Sequence, residues 1–274
     1  MFTALSPGCL SRQRDLTVTS SSEEDIYIRD IAMLSPSSLL VGDYTNTTLR
    51  LVDSVSGVVL SKATLPSHPR RLCLLSDGRV AVTLYNSKKI QFICVANDTL
   101  LLDRSIDVKN IIAGIAQCDS SYLAVSCDSP SKVEIMTMDG RVINDMDNKK
   151  AGKHVFQYPY FIAPTTSGDI FVSDHGTSTI TQMDRTLRIS RTFSSPTLTS
   201  PYSIVSVSTD QLLVADRDSH SIVVLNPTNG TVTHLVGKTD GIQEPLAVAW
   251  CTTKKRLYVS SYGCQTTLRV FHQK

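Results

Sequence analysis

A module of about 44 residues recurs six times in this chain, and no single motif constrains the fold as tightly. Valines stand at comparable places at Val41, Val82, Val125, Val172, Val214 and Val259, separated by 41, 43, 47, 42 and 45 residues. A second apolar residue follows eight positions later, at Leu49, Ile90, Val133, Ile180 and Ile222, and nine later at Leu268. Proline precedes the valine by thirteen residues at Pro69, Pro159 and Pro201 and by fourteen at Pro245, with Ile28 and Ile112 holding that place in the first and third units. Between these marks lie short runs rich in Ile, Val and Phe, broken by Gly, Asp and Ser, as in PYFIAPTTSGDIFVSDHGTSTI over residues 159–180. Such punctuation predicts consecutive antiparallel strands. No unit carries a ten-residue amphipathic helical pattern, so helical solenoids are excluded. Four short strands per unit at this period is the arithmetic of a propeller blade. The sequence therefore predicts an all-β, six-bladed β-propeller of four-stranded antiparallel blades.

The ends of the chain bear on how such a ring closes. Residues 1–13 show no period and read as an N-terminal tail or linker, which leaves 14–274 for the propeller. Asp15 to Thr19 alternates like a strand, whereas the last unit stops after Leu268–His272, one strand short. The surplus strand at the front is expected to pair with 268–272 and complete the last blade, removing two sheet edges. Any further sequence in a longer native protein is expected to precede this domain.

Bulk properties exclude several function classes. A net charge of +2 announces neither nucleic acid nor membrane. No run approaches the ~18 apolar residues of a membrane span, and the start MFTALSPGCL lacks the pattern of a signal peptide. Seven cysteines, an odd number without a C-x-x-C pair, favour free thiols in a reducing, cytoplasmic setting over a disulfide framework. The pairs that hairpins would bring near one another are Cys118 with Cys127 and Cys251 with Cys264. Three glycosylation sequons, at Asn46, Asn97 and Asn229, weigh on the other side.

The segments SGDIFVSDHG, DQLLVADRDSHSIVVLNPTNG and PRRLCLLSDGRVAVTLYNSKKI resemble NHL repeats, and VGKTDG before Pro245 resembles their glycine-bearing fourth strand. The resemblance covers about residues 14–272 and is nearest in kind to the C-terminal NHL propeller of tripartite-motif (TRIM) ubiquitin ligases. The repeats are degenerate. The glycine usually found two after the proline survives only as Gly114, replaced elsewhere by Asp30, Arg71, Phe161, Ser203 and Ala247, and the Asp-x-x-Asn turn is kept only from Asp43 to Asn46. The resemblance implies a non-catalytic recognition module, monomeric by itself and without a cofactor. Its partner is expected to be a protein, either a ligase substrate or an acidic segment. The RING, B-box and coiled coil of those ligases are absent from this sequence.

Three sets of residues are candidates for chemistry. Asp43, Asp174 and Asp216 each lie two after a marker valine, where the second strand ends. A carboxylate ring holding a metal, as in propeller lactonases, would need all six blades, but Leu84, Cys127 and Ser261 occupy the other three. The expected role is therefore turn capping through backbone N–H groups, with no metal. His175 and His220 fall in loops of adjacent blades and would make an incomplete zinc site. The loops predicted to share one face of the disc carry Arg70, Arg71, Lys88, Lys89, Lys109, Lys132, Lys149, Lys150 and Lys153 against three aspartates, with Tyr85, Tyr158, Tyr160 and Tyr202 interleaved. NHL domains that bind single-stranded RNA use such a face, so RNA stands as the alternative partner. A propeller hydrolase or lyase is a third reading.

Overall fold

The computed structural model describes residues 4–19, 25–146, 149–150, 153–165, 168–263 and 266–274, with backbone only at 149–150 and 153–154. It is a six-bladed β-propeller with one 3-10 turn, Lys238–Asp240, as the only helical element among the described residues. From channel to rim, blade one is Ile28–Ser35, Ser38–Asp43, Thr48–Asp53 and Val59–Thr64; blade two is Pro69–Leu74, Val80–Leu84, Lys89–Ala96 and Thr99–Asp107. Blade three is Ile112–Gln117, Tyr122–Asp128, Ser131–Thr137 and Val142–Asp145; blade four is Pro159–Pro164, Ile170–Asp174, Thr179–Met183 and Ile189–Phe193. Blade five is Pro201–Ser208, Gln211–Asp216, Ser221–Leu225 and Val232–Val236, and blade six begins with Pro245–Cys251, Arg256–Ser261 and Thr267–Gln273. The first strand of each blade lies against the first strands of its neighbours and lines the channel.

The repeat marks are the residues that hold the blades together. All six marker valines are fully buried, and each sits in a different hydrophobic cluster, in every case the one shared with the preceding blade. The second apolar mark, eight or nine later, sits in the cluster shared with the following blade: Leu49 joins Val82, Ile90 joins Val125, and Leu268 joins Val41. Register explains the offset. Val172 pairs with Thr181, nine residues on, so Ile180 pairs with Ser173 and projects from the opposite face of the sheet. In blade six the turn is one residue longer, Val259 pairs with Arg269, and the mark moves to Leu268. The core is thus six apolar wedges between blades rather than one central mass.

Gly114 is the glycine that blade packing requires. A Cβ there would lie 2.7 Å from Ser126 Oγ and 2.9 Å from Ile162 N of blade four.

Closure comes from the N-terminus, by more chain than the alternation indicates. Leu16–Thr17 pairs with Thr267 and Leu268, and Leu10–Arg12 continues the ladder against Phe271 to Gln273. Lys274 N–H donates to Cys9 O at 2.9 Å, and Leu5 is buried while its backbone exchanges two hydrogen bonds with the Gln211 amide. The segment 1–13 is therefore not a free tail over its described residues: Leu5 and Leu10 pack in the wedge between blades five and six. Two apolar residues spaced for burial carried that signal, but an irregular stretch has no period by which to read them.

Candidate functional site

On the face where the second-to-third-strand turns and the blade connections open, three positions of the repeat converge on the channel mouth. The residue after the start of the first strand is Arg29, Arg70, Ala113, Tyr160, Tyr202 or Leu246. The residue just before that strand is Tyr27, His68, Ile111, Tyr158, Ser200 or Glu244. The third position, three after the marker valine, is Tyr44, Tyr85, Asp128, His175, Arg217 or Tyr262. The last two positions are tied together in five blades by one backbone bond, from Tyr44 N–H to Tyr27 O, Tyr85 to His68, Asp128 to Ile111, Arg217 to Ser200 and Tyr262 to Glu244, at 2.8 to 3.0 Å. One backbone geometry thus presents eighteen side chains, an unusual number of them tyrosine or arginine.

Four arginines and the tyrosines interdigitate there. The Arg29 guanidinium lies 5.5 to 5.9 Å from the ring centres of Tyr27, Tyr44, Tyr160 and Tyr202 and donates to the hydroxyls of Tyr27 and Tyr160. Arg70 lies against Tyr85 and Tyr160, Arg71 against Tyr160, Phe161 and Tyr202, and Arg217 against Tyr202 and Tyr262. Aromatic faces take the place of hydrogen-bond acceptors for several of these N–H groups. Tyr160 and Tyr202 touch at 4.1 Å between ring centres, and with Leu246 they plug the channel. Around them Tyr158 stacks on His175, and Tyr44 stacks on His68. Tyr158 and Tyr262 are 55% and 54% exposed and stand at the surface of this layer.

Carboxylates balance most of this charge. Arg70 makes a bidentate pair with Asp128, at 2.5 and 3.2 Å, and Arg217 pairs with Glu244 at 3.5 Å. Asp30, beneath the mouth, accepts N–H bonds from Ile31 and from Leu72 of the next blade. Burial pushes its carboxyl up to about 6 despite the nearby Arg71, whose own pKa burial pulls down to about 10. Arg29 has no carboxylate partner among the described residues, so the centre of the mouth is positive. Burial also lowers the His175 pKa, an effect that Asp174 partly opposes.

The residues expected to form a basic face are brought to this side of the disc, but in two layers. Arg70, Arg71, Tyr160 and Tyr202 are buried in the plug, and Tyr85 is half-buried. At the rim Lys88 is exposed, whereas Lys89 bonds Asp107 at 2.6 Å and Lys132 bonds both Glu134 and Asp145. The side chains of Lys149, Lys150 and Lys153 lie outside the described residues; their backbone forms the short ladder Lys149–Lys150 with Lys153–His154. Residues Arg29, Tyr44, Arg217 and Tyr262 escaped the sequence reading. Arg29 holds the same register as Arg70, Tyr160 and Tyr202, and the only obstacle was the Ile28 that replaces the guiding proline.

The three aspartates are fully buried; Asp43 and Asp174 are each wired to their own turn and to the chain entering their blade, and Asp216 to the entering chain. Asp174 accepts N–H bonds from Gln157, Tyr158, Gly176 and Thr177. Asp216 accepts from Thr199 and Ser200. Asp43 accepts from Tyr27 N–H and from Asn46, and pairs with the buried Arg50 at 2.9 Å. Among the described residues no group of three His, Cys, Asp or Glu is placed to hold a metal ion. Cys118 and Cys127 are free thiols, as is Cys251; Cys264 lies outside the described residues. No helix among the described residues is long and apolar enough to cross a membrane.

No family model matches the chain, and no curated protein sequence is detectably similar to it. Solved structures do share its architecture. A catalytically inactive virginiamycin B lyase from Staphylococcus aureus, determined with quinupristin, superposes with a TM-score of 0.69 at 15% identity, covering 97% of this chain and 89% of that one. A Bacteroides thetaiotaomicron protein of unknown function gives 0.73 at 11% identity, over 97% and 73%. The β-propeller domain of Cps50 (Swd1) from Myceliophteria thermophila gives 0.65 at 11% identity, over 90% and 83%. At such identities the likeness is one of fold, and the mouth must be read from its own residues.

Proposed function

We propose that this propeller is a non-catalytic recognition module that engages an acidic segment of a protein partner across its channel mouth, as the partner-binding domain of a TRIM-like ubiquitin ligase would. The observation that carries the reading is the composition of the mouth: tyrosine and arginine, residue types that dominate protein-interface energetics, cluster there around Arg29. Tyr158 and Tyr262 are its exposed aromatic anchors. The ligase context rests on the NHL-like repeats alone. Single-stranded RNA is less well served. Base stacking needs open ring faces, and Tyr160 and Tyr202 are buried, while Lys89 and Lys132 are already engaged by carboxylates.

Calorimetric titration with acidic and charge-neutral peptides and with ten-nucleotide single-stranded RNAs separates the readings. Acidic peptides are expected to bind, with at least a tenfold loss for Arg29→Gln and for the Tyr158→Ala, Tyr262→Ala double variant. Preferential binding of RNA, with an affinity falling by roughly 0.7 log units per log unit of salt for each phosphate neutralised, would replace the protein reading by the RNA one. Binding of neither, or binding indifferent to these substitutions, removes the mouth as a recognition surface.

A further inference from the structure

His220, read from the sequence as a loop residue and half of an incomplete zinc site, has a more definite setting. A cavity of about 360 Å³ opens between blades five and six beside the mouth, lined by His220, Lys238, Gln243, Glu244 and Tyr262. The Glu244 N–H lies 3.1 Å from His220 Nδ1. Nδ1 is therefore the acceptor, and the neutral ring carries its proton on Nε2. Both residues hold left-handed backbone, with φ of 54° at His220 and 39° at Glu244, so the wall is built at some conformational cost.

Charge bookkeeping around the cavity is one-sided. The Glu244 carboxylate is balanced by Arg217 at 3.5 Å, and the Asp240 carboxylate of the same connection is turned to the Gly237 N–H at 2.9 Å. Lys238 is exposed and has no carboxylate within ion-pair distance among the described residues. What remains for an incoming group is a set of donors: the ammonium of Lys238, the imidazole Nε2–H, the phenol of Tyr262 and the amide of Gln243. A carboxylate or phosphate accepts from such a set, and a cation does not.

We propose that this cavity is a binding site for a compact oxyanion, a carboxylate or a phosphate group, held by Lys238 and His220 with the Tyr262 ring alongside. Its link to a peptide rests on the reading of the mouth given above: Tyr262 and Glu244 belong to both, so an acidic side chain of a segment lying over the mouth reaches the cavity directly. Oxyanion binding itself does not depend on that reading.

The test is an NMR titration of the intact chain, following the imidazole Cε1–H signals and the tyrosine ring signals with inorganic phosphate, with acetate and with an acidic peptide. His220 and Tyr262 are expected to shift saturably, with at least a fivefold weaker apparent affinity in Lys238→Gln and in His220→Asn, whose side-chain oxygen still accepts the Glu244 N–H. Lys88→Gln, a change of equal charge at the exposed rim, is expected to leave the titration unaltered. Shifts that stay linear in anion concentration, or that are the same in Lys238→Gln, overturn the proposal. Saturation by the free anions but not by the peptide keeps the site and refutes the mouth reading. Saturation by the peptide alone, unaffected by Lys238→Gln, does the reverse.

Discussion

Asp174 offers the sharpest test of how the blades are held in register. Its carboxylate has no solvent exposure and takes four backbone N–H groups. Oδ2 accepts Gln157 at 2.7 Å, and Oδ1 accepts Tyr158, Gly176 and Thr177 at 3.0, 2.9 and 3.1 Å. Asp174→Asn keeps Oδ1 with its three donors and places an amide donor against the Gln157 N–H. One bond is lost and one buried donor orphaned, for about 2 kcal/mol. Asp174→Ala orphans all four. At 1–3 kcal/mol per unsatisfied buried group this would reach roughly 4–12 kcal/mol if no water entered, and about 4 kcal/mol with Gln157 and Tyr158 near the surface and open to hydration. Urea unfolding followed by circular dichroism and by the fluorescence of Trp250, the sole tryptophan, is the assay. With ~2 °C lost per kcal/mol for a chain of this size, melting points are expected to fall by about 4 °C for Asn and about 8 °C for Ala. Equal losses for the two, or losses under about 1 kcal/mol for Ala, would show that the carboxylate does not hold the turn and the blade entry together.

Deleting residues 1–13 removes Leu5, Leu10 and the ladder to Phe271–Gln273, so light scattering and thermal melting are expected to show marked destabilisation and aggregation; a melt like that of the intact chain would contradict the closure described. The Asp30 carboxyl is held near 6 in the fold against an ordinary value of 3.8, so the folded chain binds the extra proton between these values. Its contribution to stability is complete below pH 4 and is lost as pH rises through 6; Asp30→Asn is expected to flatten stability over that window, and an unchanged pH profile would refute the assignment. Burial pushes the Cys73 thiol up to about 12 and Cys118 to about 11. Alkylation at pH 7.5 is therefore expected at the partly exposed Cys9 and Cys94 well before Cys73 or Cys118, as read by peptide mass mapping.

The architecture was legible because a propeller repeats its instructions. Val41, Val82, Val125, Val172, Val214 and Val259 each make the same demand for burial, and six weak signals at one period add up. The closing strand at 16–17 was legible for the same reason, while Leu10–Arg12 was not, since a strand of three residues has no room to show alternation. The mouth was half legible. Arg70, Tyr160 and Tyr202 could be placed beside the channel by their prolines, but whether a side chain there lies on the surface or in the plug depends on the sizes of its five counterparts. Two of the lysines, Lys89 and Lys132, are less free than a count of charge along the chain suggests, because such a count does not register that Lys89 meets Asp107 or that Lys132 sits between Glu134 and Asp145.

The way the ring is closed also sets how it yields under load. The antiparallel ladder of Leu10–Arg12 with Phe271–Gln273 begins at its outer end, where Cys9 O meets Lys274 N–H. Tension applied through the two ends of the chain therefore acts across the ladder rather than along it. Once Leu5 has left Gln211, hydrogen bonds in that geometry break in succession, Lys274 from Cys9 first, then Gln273 from Leu10 and Phe271 from Arg12, instead of resisting together in shear. A domain pulled by its flanks would open at the sixth blade at low force while the other five stayed intact, making the seam the point of mechanical give.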